Sequence, residues 1–393
     1  MSEDSDNTSA SGEMRVRVFG RTDVGQVREH NEDSFIIADL SRKSRSLREE
    51  DRVQTIGAHG TLMAVCDGMG GAAAGEVASE LAVNIIYEKL VDGDVPKNHD
   101  DLARRVVRAI EAAGLRIYSE AKLDRHHRGM GTTATVAALL DSYLFLGQVG
   151  DSRAYVLRND RLVQVTRDQS LVTQLIEAGQ LTEEEAETFE HNNIILQALG
   201  TADTVQVDLT YVPLLRGDTL LLCSDGLSGM IRYEDIRRIL LEHDDTVEVC
   251  KALTKSANEA GGHDNITVIV ARFEGEGFAE AGNDDPPLRY SKYVLPEDAG
   301  SEPTIPGRRG LVKGLDRPKI GPEVRDRNTD HGPSRSKVAH TLVGMRSPMH
   351  DKDYDDEEIV LPVENTPLWV LCTIVVAVFG SMVFAAYYFI IKP

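Results

Sequence analysis

Between Arg15 and Arg272 short apolar runs alternate with turn residues. Runs of period two, or of continuous aliphatic and β-branched residues, predict strands. They fall at Arg15–Phe19, Ser34–Ile37, Thr61–Cys66, Thr133–Leu140, Tyr143–Val149, Ala154–Leu157, Leu162–Val165, Val205–Tyr211, Thr219–Cys223 and Ile266–Arg272. A helical period takes over in two long stretches. Ala73–Val91 carries Val77, Leu81, Ile85 and Ile86 on one stripe, and His99–Lys122 carries Leu102, Val106, Ile110 and Ile117. Shorter helices are predicted at Glu234–Glu242 and Thr246–Ala260, and Asn159-Asp160 suits a hairpin turn. Strands outnumber helices and many neighbours are joined by turns. The expected fold class is therefore α+β with antiparallel sheets rather than a parallel βαβ fold.

The periodicity stops after Phe273. Eleven of the 14 prolines lie between Pro286 and Pro367, so residues 275–366 read as a disordered, Pro/Gly/charge-rich linker. One apolar island, His340–Met345, is either a docking motif or an accident of composition. Residues 1–13 are Ser/Asp-rich and disordered in character, with no apolar core of a signal peptide. Leu368–Ile391 is a run of 24 residues without a charge. As a helix it spans roughly 36 Å at ~1.5 Å per residue, enough to cross a bilayer. Trp369 sits near one end and Tyr387 and Tyr388 near the other, as interfacial aromatics do. A buried globular helix is the alternative, but no partner elements precede it. The expected organisation is an N-terminal tail (1–13), a folded domain (14–274), a linker (275–366) and a transmembrane helix (367–391). The positive-inside signal is weak, so orientation rests on the absent signal peptide. It places the folded domain in the cytoplasm on a single-pass C-terminal anchor.

The 393 residues carry a formal charge of −21, which argues against nucleic acid as a partner. Cys66, Cys223, Cys250 and Cys372 show no CxxC or zinc-like spacing, which suits a reduced, cytosolic domain. Ser41–Arg52 is a charged Ser/Arg-rich stretch, either a solvated insertion or a regulatory loop. Asp168–Gly200 holds helical pattern between strand blocks, with the acidic run Thr182–Ala186 inside it, and would form a flap beside a site.

Four aspartates, Asp67, Asp151, Asp225 and Asp264, sit where apolar strand runs meet small-residue turns. Unpaired carboxylates at strand ends are costly near a low-dielectric core. Few Lys or Arg residues flank them, so a hard divalent cation, Mg²⁺ or Mn²⁺, is the natural counter-charge. For any single Asp-Gly the alternative is an ordinary turn. No G-x-S-x-G elbow occurs, no cysteine is followed by arginine six residues later, and no P-loop is present. Covalent catalysis thus has little support, and hydrolysis by metal-activated water remains. Gly68 and Gly226 would allow tight turns and let carbonyls approach a metal.

Read with Arg28-x3-Glu32-Asp33-Ser34, these motifs converge. The others are Asp67-Gly-Met-Gly-Gly71 with Gly75-Glu-Val-Ala-Ser79, Gly129-Met-Gly-Thr-Thr133, Gly150-Asp-Ser-Arg153, Ser224-Asp-Gly-Leu227 and Asp264-Asn265. In this order they resemble the metal-dependent type 2C Ser/Thr protein phosphatases (the PPM family), bacterial branch, over residues of about 14–273. The resemblance implies a central antiparallel β-sandwich flanked by helices, with metals at one edge. It implies that Asp67 bridges two Mn²⁺ or Mg²⁺ ions, with the Gly68 carbonyl on one and Asp225 and Asp264 on the other. Asp151, with Asp225, would complete a third, weaker ion site. Glu32 and Asp33 would hold waters around the ions, Asn265 would orient the Asp264 loop, and Arg28 would clamp the substrate phosphate. Gly129, Gly131, Thr132, Thr133 and Arg153 would be structural.

Two features depart from the family. Met69 occupies the position of a histidine proposed as general acid in eukaryotic relatives, and His30 reads as a surface residue. Asp168-Gln-Ser170 and Phe189-Glu-His191 replace the family's Asp-His-Ser and His-Pro-Gln. The implied partners are phosphoserine and phosphothreonine proteins, Ser/Thr kinases included, met by a monomeric catalytic domain tethered to the membrane. Two rivals stand beside this reading: a pseudophosphatase that binds phosphoproteins to regulate a kinase pathway, and a two-metal phosphohydrolase of small molecules. The complete carboxylate set stands against the first; the Arg28 motif and the Gly129–Thr133 block stand against the second.

Overall fold

A computed structural model describes residues 12–45, 52–70, 74–186, 189, 191, 193–282 and 287–296. Strands β1 (Arg15–Asp23), β2 (Asp33–Asp39), β3 (Val53–Thr55) and β4 (Thr61–Met69) come first, followed by helices α1 (Ala74–Val91) and α2 (His99–Leu123). Then come β5 (Gly131–Thr132), β6 (Ala134–Leu140), β7 (Tyr143–Val149), β8 (Arg153–Arg158) and β9 (Arg161–Gln164). Short helices α3 (Leu171–Glu177) and α4 (Glu183–Ala186) lead to β10 (Asp208–Pro213) and β11 (Thr219–Cys223). Helices α5 (Asp225–Ser228), α6 (Tyr233–Glu242) and α7 (Thr246–Glu259) precede β12 (Ile266–Glu274).

Two antiparallel sheets pack face to face, ordered β3-β1-β12-β11-β8-β9 and β10-β7-β6-β4-β2, with β5 paired to the far end of β4. Strand alternation explains the layers. In β4, Met63 and Val65 face the other sheet while Leu62, Ala64 and Cys66 face helices α1 and α2. Helices α6 and α7 cover the outer face of the first sheet through Ile236, Ile239, Leu240, Val249 and Leu253. The result is the expected sandwich flanked by helices. Cys66, Cys223 and Cys250 are buried free thiols.

Three differences from the sequence expectation have physical causes. Strand β3 is only three residues long and polar at its centre, so it carries no periodic signal. The buried face of α1 is set by Ala74, Ala78, Ala82 and Ile86, whereas Val77, Leu81 and Ile85 lie at its margin. Small residues let the helix approach the sheet closely, and a search for large apolar residues finds the flank instead. The third concerns the chain beyond Glu274, which stays packed on the domain. Phe278 is buried against Phe273, and Tyr293 lies among Phe145, Tyr211 and α2. Tyr293 N donates to Leu209 O at 2.7 Å, and Tyr211 N donates to Ser291 O at 3.2 Å, extending the exposed edge of β10. The packed region therefore runs past the boundary expected at 274, because residues 290–293 supply the missing partner of an edge strand.

The tail 1–11, the linker from 297 to 366 with its island 340–345, and the transmembrane stretch 367–391 lie outside the described residues, as do 46–51 of the charged loop. Among the described residues no helix is long and apolar enough to cross a membrane.

Tyr293 buries an aromatic ring and donates its hydroxyl to Asp100. Tyr293→Ala is expected to lower unfolding stability by about 3 kcal/mol, read from the urea midpoint. An unchanged midpoint would mean that residues 290–293 are an appendage rather than part of the domain.

Candidate active site

The inward rows of the sandwich are apolar along most of their length and turn polar at one common end. Continuing Ile37 and Phe35 along β2 gives Asp33, and continuing Met63 and Val65 along β4 gives Asp67, its cross-strand partner. The same step of two gives Thr135 on β6, Gln148 on β7, Ser152 before β8, Ser224 after β11 and Thr267 on β12. All but Asp67 are buried, and several of them hydrogen-bond to one another. Thr135 Oγ1 donates to Gln148 Oε1 at 2.8 Å, Thr133 and Ser152 hydroxyls meet at 2.8 Å, and Ser224 Oγ donates to Asp33 Oδ2 at 2.8 Å across the two sheets. This polar end forms the floor of the site.

Each carboxylate stands on a main chain fixed from several sides. Asp67 N donates to Thr133 Oγ1 at 2.9 Å, while Asp67 O accepts from Thr132 Oγ1 at 2.8 Å and Thr133 N at 2.9 Å. The Thr132-Thr133 pair is thus a clamp on the strand that bears Asp67. Asn265 does the equivalent for three segments at once. Its Oδ1 accepts from Glu32 N at 2.8 Å, and its Nδ2 donates to Val24 O at 3.0 Å and His30 O at 2.9 Å. Its own N–H is received by Asp264 Oδ1 at 2.8 Å. The amide is spent on backbone groups, so Asn265 ties together the loops around Arg28, Glu32 and Asp264.

The glycines beside the aspartates are also required by packing. A Cβ on Gly68 would stand 2.2 Å from Gly75 O and 2.4 Å from Glu32 O, and one on Gly226 would stand 2.0 Å from Asn265 O. Close main-chain approach excludes side chains at both positions.

Arg28, Glu32, Asp67, Gly68, Asp225 and Asp264 line one cavity of about 400 Å³. Arg28, on the β1–β2 loop, donates from Nη2 to Asp264 Oδ2 at 2.8 Å, and this pair is half exposed. Asp33 is the cross-strand register partner of Asp67, and Asp151, in the β7–β8 turn, adds its charge to that of the group. Arg153 donates to Asp168 Oδ2 at 2.7 Å and to the Tyr155 hydroxyl at 3.2 Å. Five residues to which the sequence reading gave no site role also face the cavity: Glu29, His30, Gly70, Asn193 and Ile195. Asn193 and Ile195 come from the flap, where sequence distance hid their proximity to Arg28. His30 carried no signal beyond its nearness to the acidic pair. Gly71, the last residue of its motif, lies outside the described residues.

Crowding sets the electrostatics. Loss of solvent, together with Asp225 and Asp264, pushes Asp33 up to about 7 despite its hydrogen bonds. Loss of solvent and the charges of Asp225 and Asp168 push Asp151 up to about 7. Asp67 is driven well above the usual carboxylate range by burial and by Asp33, Asp225, Asp264 and Asp151, and Asp225 is raised by burial and Asp264. Asp33 Oδ1, Asp151 Oδ1 and Asp225 Oδ1 are buried without a hydrogen-bond partner. Such oxygens call for positive charge, and an all-carboxylate donor set fits a hard divalent cation. Among the described residues no three His, Cys, Asp or Glu side chains enclose an ion by themselves. An ion that retains several waters needs only one or two carboxylates, so an open acidic cleft is adequate.

With this geometry in place, comparison with known proteins is direct. Residues 40–266 match the protein phosphatase 2C family model. The serine/threonine phosphatase Stp of Listeria innocua is 35% identical over 252 residues, covering 64% of this chain and 93% of that protein. The crystal structure of the Mycobacterium tuberculosis serine/threonine phosphatase PstP/Ppp superposes with a TM-score of 0.56 at 34% identity, covering 68% of this chain and 100% of that one. The catalytic domain of PstP in complex with two manganese ions superposes at 0.55, with 34% identity, over 66% of this chain and 99% of that one. The chain belongs to the protein phosphatase 2C family, among serine/threonine phosphatases of bacterial origin.

The raised carboxyls fix the sign of a pH effect. Asp33 and Asp151 ionise near 3.8 when free and near 7 when folded, so the folded state holds more protons in between. With chelator present, the thermal midpoint should fall as pH rises through this window and level off above it. Adding Mn²⁺ above pH 7 should restore the midpoint. A midpoint that rises from pH 4 to 7 in chelator would contradict the crowded-carboxylate account.

Proposed function

We propose that this type 2C phosphatase hydrolyses phosphoserine and phosphothreonine in proteins with two divalent ions, Mn²⁺ or Mg²⁺, held by Asp67, the Gly68 carbonyl, Asp225 and Asp264. The observation that carries the reading is the convergence of these residues with Arg28 on one cavity, where Asp225 Oδ1 is buried without a protein partner. Asp151 would share a third ion with Asp225, and Glu32 and Asp33 would orient the surrounding water. Bound ions would supply an acidified water and a positive field for the phosphoryl oxygens.

The chain's own groups set the rest. Arg28 holds phosphate through a planar fork of donors, and its place at the mouth is fixed by Asp264 and by Asn265 through the His30 carbonyl. The Thr132-Thr133 clamp and the Ser224–Asp33 bond keep the floor rigid, so little reorganisation is needed when a phosphate arrives. Met69 lines the cavity but has no proton to give, so the leaving hydroxyl is protonated from another donor.

In the same reading, residues 367–391 anchor the chain in the cell membrane and keep the domain on the cytoplasmic side, close to membrane-bound phosphoproteins and Ser/Thr kinases. The support is the 24-residue uncharged run and the polar chain of about 70 residues (297–366) that would serve as a flexible tether.

Asp225→Asn should lower phosphate release from a phosphothreonine peptide by ~10²-fold or more in Mn²⁺, and should reduce the Mn²⁺-induced rise in thermal midpoint. Equal rates in mutant and wild type would remove the metal mechanism. A wild type that binds the phosphopeptide without releasing phosphate would favour the pseudophosphatase instead.

Removing residues 366–393 should leave the rate on a soluble peptide unchanged and slow dephosphorylation of a membrane-embedded partner in vesicles. Equal rates on that partner would dismiss the tether.

A further inference from the structure

The flap leaves the sandwich after β9, returns before β10, and places Asn193 and Ile195 on the cavity wall. Its two roots meet at one residue, Gln169. The main-chain N–H of Gln169 donates to Gly150 O at 2.8 Å, and its carbonyl accepts from Leu196 N at 2.8 Å. Its side-chain Oε1 accepts from Gly150 N at 2.9 Å and from Gln197 Nε2 at 3.0 Å. Its Nε2 donates to Gln148 O and to Gln206 O, each at 3.3 Å. The stitching continues beside it: Ser170 bridges Ile195, and Leu171 N donates to Ile194 O at 2.9 Å. One side-chain amide thus joins the turn before Asp151, the outgoing root of the flap and its returning root.

We propose that Gln169 is a positioning residue for phosphopeptide substrates, holding the Asn193–Ile195 lip at the cleft in register with the Asp151 turn. The proposal rests on the phosphatase reading above. The chemistry of the side chain explains why an amide is needed. Two acceptors and two donors are engaged at once, and only Asn or Gln offers both sets. Imidazole, with one donor and one acceptor in its neutral form, would satisfy half of them. A carboxylate would keep the two acceptor contacts but turn an anionic oxygen toward the carbonyls of Gln148 and Gln206. The lip is apolar at its exposed surface, with Ile194 and Leu196 41% and 50% accessible. A peptide chain flanking a phosphoresidue in the cleft would also meet the exposed Ile194 and Leu196, which lie outside the cavity wall that a small aryl phosphate touches.

The test compares the full-length chain with Q169A and Q169E in Mn²⁺, on a phosphothreonine peptide and on p-nitrophenyl phosphate. Both variants should raise the peptide KM by about fivefold or more with kcat changed less than about twofold, and should leave p-nitrophenyl phosphate within about twofold of wild type. Hydrogen exchange at the Leu171 and Leu196 amides should accelerate in both, Q169E more than Q169A. This exchange readout does not depend on turnover. An unchanged peptide KM overturns the proposal. So does an equal loss on both substrates, because Gln169 would then support the metal-bearing floor rather than the lip. If wild type hydrolyses neither substrate, the phosphatase reading itself fails and the proposal falls with it.

Discussion

The structure is organised around a crowd of carboxylates at the polar end of a β-sandwich. Asp33 and Asp67 face each other across adjacent strands, and Asp225, Asp264 and Asp151 raise the local negative potential further. Such a group repels itself, and every kcal/mol of repulsion must be offset by bonds elsewhere in the domain. The offsetting bonds are to the backbone and to neutral hydroxyls. Thr132, Thr133, Ser224 and Asn265 hold the strands and loops in place without neutralising the charge. A basic residue in the floor would have relieved the repulsion and removed the site's affinity for a cation. Arg28 brings its positive charge at the mouth instead, half exposed and paired with Asp264. Stability is given up at the floor so that charge remains available for binding.

Much of this was legible in the sequence, because the constraint is local. An aspartate where an apolar run meets a small-residue turn announces a carboxylate at the rim of a core, and four of them in one chain limit the chemistry sharply. What could not be read was depth. Asp33 and Asp67 are register partners, a fact that depends on pairing rather than on spacing. Ser224 and Thr267 sit on the same inward rows as the apolar core, but a step of two from Leu222 or Ile269 means nothing until the faces are known. Gly68 and Gly226 were visible; the carbonyls that crowd them were not, since these come from Gly75, Glu32 and Asn265. The contribution of residues 287–296 was equally hidden. Tyr293 carries no periodic pattern, and its burial follows from an edge strand, β10, that needs a partner.

The division between rigid floor and adaptable rim explains where one chain of this family can differ from another. Residues of the floor are held by bonds that cross both sheets, so a change at Thr133, Ser224 or Asn265 disturbs several strands together. The flap is held differently. Its contacts to the sandwich are concentrated at its roots, through Gln169, Arg153–Asp168 and the Thr132–Leu199 pair. Between them, Asn193 and Ile195 reach the cavity from outside the sheets. A segment whose hydrogen bonds to the sandwich, among the described residues, lie at its roots can change sequence along its length at small cost to the core. The departure from the family's Asp-His-Ser pattern at Asp168-Gln-Ser170 falls at such a root, where one amide engages two strands' worth of backbone. Substitution there would alter how the lip meets a peptide while the carboxylate floor stays as it is. Under the proposed function, substrate preference and phosphate chemistry would be carried by different parts of the same cleft.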